Sequence, residues 1–187
     1  LLLPEKESPP LGTAQAVRLC AALHVPYCLE DITPILEAGG AYAMRDAAIS
    51  RLIPAYASGW FPMADDDGHL SWYSPDPRGI IPLDAFHLPA RLQRVIRRGA
   101  FRIEMDTVFE RVIRACAEAE REPGESGTWI SEEIVESYCA LHDLGYAHSV
   151  EAWQAGALVG GLYGVALGGA FFGESMFHRV TDASKVA

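Results

Sequence analysis

Residues 161–177 run Gly161-Leu-Tyr-Gly-Val-Ala-Leu-Gly-Gly-Ala-Phe-Phe-Gly-Glu-Ser-Met-Phe177, with five glycines, four aromatics and one carboxylate in seventeen positions. Two apolar runs joined by Gly168-Gly169 predict two antiparallel strands with a tight turn. Glycine weakens a strand interior, so Gly161, Gly164 and Gly173 imply close approach of a ligand or another backbone. Glu174 is then the only ionisable group in an otherwise apolar sheet. A carboxylate in that setting costs several kcal/mol unless it meets a partner, on the order of a buried unpaired charge. It is therefore a candidate for holding a positive group such as an amine.

The chain has 187 residues, half of them apolar, enough for one substantial core or two small ones. No run of eighteen apolar residues occurs, so a transmembrane helix is not expected. Leu1–Leu3 is followed at once by Pro4 and charged residues, unlike a signal peptide; the missing initiator Met suggests an absent or processed start. Cys20, Cys28, Cys116 and Cys139 stand singly, without metal-ligand or disulfide spacing. The six histidines (24, 69, 87, 142, 148, 178) share no spacing and read as structural. A reduced, cytoplasmic protein without metal or cofactor is the simplest reading.

The net charge of −10 argues against indiscriminate nucleic-acid binding. Its distribution says more. Residues 85–103 contain no acid and five arginines. The only lysines are Lys6 and Lys185, so base composition can account for the arginine preference but not for the clustering.

Along the chain, Thr13–His24 predicts a short helix, and Thr33-Pro34 a capped start. Ser50–Ser58 predicts a helix ended by Gly59, with Pro54 tolerated near its first turn. Gly59–Met63 and Trp72–Arg78, separated by the acidic turn Asp65–Gly68, predict an extended aromatic segment over a surface. This divides the chain into an N-terminal domain with aromatic linker, residues 1–76, and a main domain, residues 77–187. A helix from Pro89 to Gly99 would place Arg91, Arg94 and Arg98 on one face with Arg97 beside them. A strand at Phe101–Met105 follows, then a helix capped by Asp106 with Val108, Phe109, Val112, Ile113 and Cys116 inward. Arg121–Gly127 reads as a polar loop. Ser131 caps a helix closed by Gly145, and three strands (148–153, 158–167, 170–175) form a meander. Asp182 would cap a last helix. The pattern is α+β.

Six ordered blocks carry a resemblance: Gly59-Trp-Phe-Pro-Met63, Trp72-Tyr-Ser-Pro-Asp-Pro-Arg78, Gly127-Thr-Trp-Ile130, Leu144-Gly-Tyr-Ala-His-Ser-Val-Glu151, Leu158-Val-Gly-Gly-Leu-Tyr-Gly164 and Gly173-Glu-Ser-Met-Phe177. With Asp182-Ala-Ser-Lys185 they closely resemble the leucyl/phenylalanyl-tRNA–protein transferase family, over roughly residues 50–187. The resemblance implies a GNAT-like acyltransferase domain, a mixed sheet with helices, that moves leucine or phenylalanine, with methionine as a further donor, from aminoacyl-tRNA to the N-terminal amine of a protein beginning with Arg or Lys, in the bacterial N-degron pathway. It implies no cofactor and no membrane, and the protein is expected to be a monomer. Met63 and Trp129 would lie near the donor's terminal adenosine. Tyr138, Leu162 and Phe171 would line the pocket for the leucyl or phenylalanyl side chain, with Ser175 and a catalytic supporting group, Glu174, beside it. Arg91, Arg94, Arg97 and Arg98 would lie under the tRNA acceptor stem. The family's main catalytic Asp and Gln fall after the helix that begins near Asp182, and so beyond Ala187. This chain is therefore expected to lack them and to be inactive alone.

That activity suits the residue inventory. An aminoacyl ester is already activated, so aligning amine and carbonyl suffices, and alignment alone can supply about 7–11 kcal/mol. Two other readings compete. An acyl-CoA-dependent GNAT enzyme would need a Gln/Arg-x-x-Gly-x-Gly/Ala pyrophosphate turn, which this chain lacks. A non-enzymatic tRNA-binding module would leave Glu174 and the apolar strands unused. Taken singly, Trp129, Tyr138, Leu162 and Phe171 read as ordinary core residues; the ordered blocks single them out.

Overall fold

The first helix of the computed structural model, α1, spans Ala43–Ala57. The structure describes residues 43–65, 67–119 and 128–187, with side chains from residue 50 onward. The expected helix at Thr13–His24, the cap at Thr33-Pro34 and the loop at 121–127 lie outside the described residues. Because α1 begins well before Ser50, Pro54 sits in the helix interior rather than its first turn. Gly59, at φ +82°, ends the helix: its amide donates to Tyr56 O, and that of Trp60 to Ala55 O.

The aromatic segment is a hairpin. β1 (Phe61–Ala64) pairs antiparallel with β2 (Leu70–Tyr73). The Asp65 carboxylate holds the turn by accepting from the amides of Asp67 and His69 at 3.0 and 2.8 Å. After a 3₁₀ turn at Leu83–Ala85 comes α2 (Ala90–Arg97), with Pro89 as its N-cap.

A four-stranded antiparallel sheet follows, in the order β3 (Arg102–Met105), β4 (Ala147–Gln154), β5 (Ala157–Leu167), β6 (Ala170–His178). The meander therefore gains the earlier strand as a fourth member, and among the described residues every pairing is antiparallel, where a mixed sheet was expected. Helices α3 (Phe109–Ala117) and α4 (Glu132–Asp143) are inserted between β3 and β4. Ser131 caps α4 as expected, accepting from the Ile134 amide at 3.4 Å. Asp106 does not cap α3. It adopts φ +58° and turns its carboxylate to β4, accepting from the Ser149 amide and pairing with His148 Nδ1, both at 2.8 Å.

The main core lies between the sheet and α1, α3 and α4: Leu52, Ile53 and Tyr56 share it with Val112, Ile113, Ile134, Tyr138, Leu141, Tyr163 and Val165. A chain of rings fills its centre. Tyr138 meets Tyr56 and Tyr163 edge-on at 6.5 and 5.6 Å, and Phe109 meets Tyr163 at 5.9 Å and stacks flat on His142 at 4.4 Å. The other sheet face carries α5 (Ala183–Val186) over Ala152 and Val159, and α5 touches α2. No helix among the described residues is long and apolar enough to cross a membrane.

The strand glycines have separate reasons. At Gly160 an added Cβ would stand 2.6 Å from Ala183 Cβ and 2.9 Å from its carbonyl carbon, so a bare backbone lets α5 dock. Gly161 lies equally tight against Val150 O, at 2.9 Å. Gly160→Ala should therefore destabilise the chain by about 1–3 kcal/mol, the usual range for overpacking, as read by urea unfolding. Gly169→Ala, where a methyl meets nothing within 4 Å, should change stability by about 0.5 kcal/mol or less.

Candidate functional site

Glu174 owes its position to an irregularity in the sheet. Tyr163 on β5 pairs with Ser175 and Gly164 with Gly173, so Glu174 is the extra residue of a β-bulge on β6, with no partner on β5. In a regular strand, neighbours point to opposite faces. Here the extra residue puts Glu174 on the helix side along with Ser175 and Phe172, whose partners Tyr163 and Val165 are buried there.

On that side the carboxyl meets two phenols, Tyr56 from α1 and Tyr138 from α4, each 2 % exposed or less. The two hydroxyls also contact each other. Burial raises the Glu174 pKa to about 7, against the opposing pull of the Tyr56 hydroxyl, the Arg78 guanidinium and the Tyr138 hydroxyl. Burial likewise holds both phenols above their ordinary range, reinforced by the negative charge of Glu174. Hydrogen counting points the same way. Three groups make three mutual contacts, while two phenols supply two hydrogens; a protonated carboxyl supplies the third.

Around this cluster the N-terminal hairpin closes against β6. Arg78 lies over the rings of Phe61 and Phe172, 5.4 and 5.6 Å from their centroids, and its Nη1 donates to Gly59 O at 2.7 Å. Phe172 also packs on Tyr56 at 5.2 Å. The Ala64 amide donates to Trp129 O at 3.0 Å, so β1, which carries Met63, runs beside the segment carrying Trp129. Met63 and Trp129 are both partly buried.

The expected side-chain pocket is divided between two faces. Leu162 pairs with Met176 and Ala166 with Phe171, and Gly164 and Gly173 pair between them. Leu162, Phe171 and Met176 thus lie on the face opposite Tyr138 and Glu174. Phe171 (48 % exposed) and Met176 (57 %) are open there, and Phe171 folds across Gly164, where a Cβ would stand 2.5 Å from its ring. Tyr138 is fully buried in the ring stack and does not line this outer surface. Gly173 faces open space.

The arginines of α2 also divide. Arg91 donates to the Asp182 carboxylate at 2.7 Å and so is committed to an ion pair with the start of α5. Arg94, Arg97 and Arg98 are exposed; Arg94 and Arg97 donate within their own helix, to Ala90 O and Gln93 Oε1, and Arg98 stands at its end. Glu174 is not the sheet's only ionisable group, contrary to expectation. Glu151 on β4 is 0 % exposed, and accepts from Ser149 Oγ at 2.6 Å and Thr107 Oγ1 at 3.0 Å. Among the described residues no cluster of three His, Cys, Asp or Glu could hold a metal.

Ala187, beyond which the resemblance sets the family's catalytic Asp and Gln, takes no part in the Glu174 cluster. It is partly buried on the other sheet face, where it packs with Phe101 and Val180 on Ala152, Val159 and Ala183. Its amide donates to Ala183 O at 3.1 Å and closes α5. The polar groups that surround Glu174 come from α1, α4 and the segment after β2 instead.

Sequence reasoning gave no role to Tyr56, Phe172 or Arg78. The signal was present for two of them: Tyr56 follows Leu52 by one helical turn, and Arg78 closes the second aromatic block.

The raised pKa of Glu174 sets a pH signature. The folded chain keeps this proton up to about pH 7, whereas the unfolded chain releases it near 4.5. Between those values the unfolded chain has lost the proton that the folded chain still holds, so stability falls progressively as pH rises from about 4.5 to 7. Glu174→Gln should stabilise the chain at pH 8 by about 3 kcal/mol, with the gain vanishing near pH 4, as measured by urea melts across pH.

The sequence pattern of the leucyl/phenylalanyl-tRNA protein transferase family matches residues 80–187, and that of its N-terminal domain residues 45–76. The chain is 56 % identical over 147 residues to the leucyl/phenylalanyl-tRNA–protein transferase of Oleidesulfovibrio alaskensis, covering 76 % of this chain and 59 % of that protein. It is 55 % identical over 153 residues to that of Anaeromyxobacter sp. strain K (82 % and 63 %) and 58 % over 137 residues to that of Salinibacter ruber (73 % and 58 %). The matched region spans about three fifths of these relatives' length. With the family pattern running through more than half of its residues, the chain belongs to the leucyl/phenylalanyl-tRNA–protein transferase family.

Proposed function

We propose that this chain binds the aminoacyl end of leucyl- or phenylalanyl-tRNA and presents it for transfer to the N-terminal amine of an acceptor protein beginning with Arg or Lys, as part of a cytoplasmic N-degron pathway. Its sheet and helices make up the larger part of a GNAT-like domain working as a monomer, with residues 1–76 forming the N-terminal domain. The observation that carries the reading is the bulge that turns one half-titrated carboxyl onto two phenols, at the seam where the hairpin meets β6.

In transfer, the amine nitrogen bonds to the ester carbonyl carbon, the carbon–oxygen bond to the ribose breaks, and the proton lost from nitrogen balances the one gained by the ribose oxygen. Glu174 contributes by accepting an N–H of an amine, through a charge-assisted hydrogen bond when ionised. With a pKa near the working pH it holds or releases a proton with little penalty. Leu162, Phe171 and Met176, over the glycine pair 164 and 173, offer an open apolar surface for a leucyl or phenylalanyl side chain. Such a surface separates Leu from Phe or Met only weakly, by about 1–3 kcal/mol per methylene. Trp129 and Met63 flank the adenosine, where stacking on an indole is worth about 1–3 kcal/mol. Ser175, beside Glu174 on the same face, lines the approach.

Arg94, Arg97 and Arg98 suit backbone phosphates, which guanidinium binds in bidentate fashion. Arg91 serves instead to hold α5 against α2.

Filter binding tests this. The chain should bind leucyl-tRNA about tenfold more tightly than deacylated tRNA, a difference of about 1.4 kcal/mol. Glu174→Ala should remove that preference and leave deacylated tRNA binding unchanged. Equal affinity of the native chain for the two forms contradicts the reading. Replacing Arg94, Arg97 and Arg98 by Ala should lower the log–log salt slope by about 2–3, while Arg91→Ala leaves the slope as it was; an unaltered slope in the triple variant removes the patch.

A further inference from the structure

Arg78 lies in the segment after β2, yet it joins three elements around the Glu174 site: the end of α1, β1 and β6. Its Nη1 donates to the carbonyl of Gly59, the residue that ends α1 three positions after Tyr56. That carbonyl is at the negative end of the helix dipole, a favourable place for a cation. The same guanidinium lies over Phe61 of β1 and Phe172 of β6, and Phe172 stands two residues before Glu174. Two rings and a carbonyl fix the group more firmly than an exposed side chain is usually held. Arg78 is, moreover, the only cation among the described groups acting on Glu174: the others are the phenols of Tyr56 on α1 and Tyr138 on α4.

We infer that Arg78 is a positioning residue for Glu174: anchored on Gly59, Phe61 and Phe172, it holds the carboxyl in place beside the two buried tyrosines and favours its ionised form. Two opposed influences meet at that carboxyl. Burial among Tyr56, Tyr138 and Phe172 favours the neutral acid, which cannot form a charge-assisted bond to an amine. The Tyr56 hydroxyl, the fixed positive charge of Arg78 and the Tyr138 hydroxyl offset part of this, and of the three only Arg78 does so with a charge. A lysine would supply the charge but not the planar face that lies over two rings while donating to a carbonyl. The consequence for amine uptake rests on the functional reading above; the coupling between Arg78 and Glu174 does not.

Carbon-13 NMR of labelled glutamate carboxyls separates the two. In the native chain Glu174 titrates near pH 7. Arg78→Gln should make it hold its proton about tenfold more tightly, and Arg78→Lys should restore most of the native midpoint. An unchanged midpoint in the folded Gln variant overturns the inference. The unmodified chain gives a check that needs no variant to fold: the Arg78 Nη resonances should move with the Glu174 midpoint, and resonances that stay still across that range overturn it. A leucyl-adenosine amide supplies the functional arm. At pH 7 Arg78→Gln should bind it several-fold more weakly, with recovery by pH 9. If the native chain fails to bind this analogue while the NMR coupling holds, the functional reading falls and the assignment of Arg78 stands. If the variant instead loses salt-dependent affinity for deacylated tRNA with no change at Glu174, Arg78 is a phosphate ligand and the inference is wrong.

Discussion

A carboxyl turned inward by one extra residue in a strand is the constraint around which the rest of this structure is arranged. Without the bulge at Glu174, alternation along β6 would run unbroken and two consecutive side chains could not share the helix side. With it, the carboxyl reaches phenols from α1 and α4, which are far apart in sequence and come together only when the core has formed. The site is thus assembled from parts distant in the chain. Its chemistry depends on the same Tyr–Tyr–Tyr–Phe ring stack that fills the interior.

The sheet separates two kinds of work. Its helix face is closed, with Tyr163, Val165 and Ala147 wholly buried. Its outer face keeps Phe171 and Met176 exposed around a bare glycine pair. A buried carboxyl and an apolar surface thus lie on either side of one short stretch of β6, at the bulge where Glu174 has no partner on β5. Hairpin β1–β2 completes the arrangement, since Arg78 and the Ala64–Trp129 bond tie it to both β6 and the start of α4.

Much of this was legible in the sequence for local reasons. The Gly168-Gly169 turn, the Ser131 cap and the Gly145 stop are short-range signals, and each feature is present. What was illegible depends on register and packing. The bulge cannot be read from alternation, because a one-residue slip reverses every later side chain; the resemblance put Leu162 and Phe171 in one pocket with Tyr138, and it carries no register. Asp106 looked like a helix cap because Asp commonly is one; its positive φ instead sends the carboxylate across to His148. Arg91 read as one more phosphate ligand, since nothing in its own helix reveals that Asp182 lies opposite. Glu151 escaped notice because its partners, Ser149 and Thr107, are hydroxyls rather than charges.

The central claim is that Glu174 receives an amine while the outer face of β6 receives the apolar side chain. A crystal structure of the chain soaked with a non-hydrolysable leucyl-adenosine analogue tests it most directly. The account predicts the α-amino nitrogen about 3 Å from a Glu174 carboxyl oxygen, a normal hydrogen-bond distance, with the isobutyl group against Leu162 and Phe171. An analogue seated with its amine in solvent, and Glu174 still closed on Tyr56 and Tyr138, would contradict it.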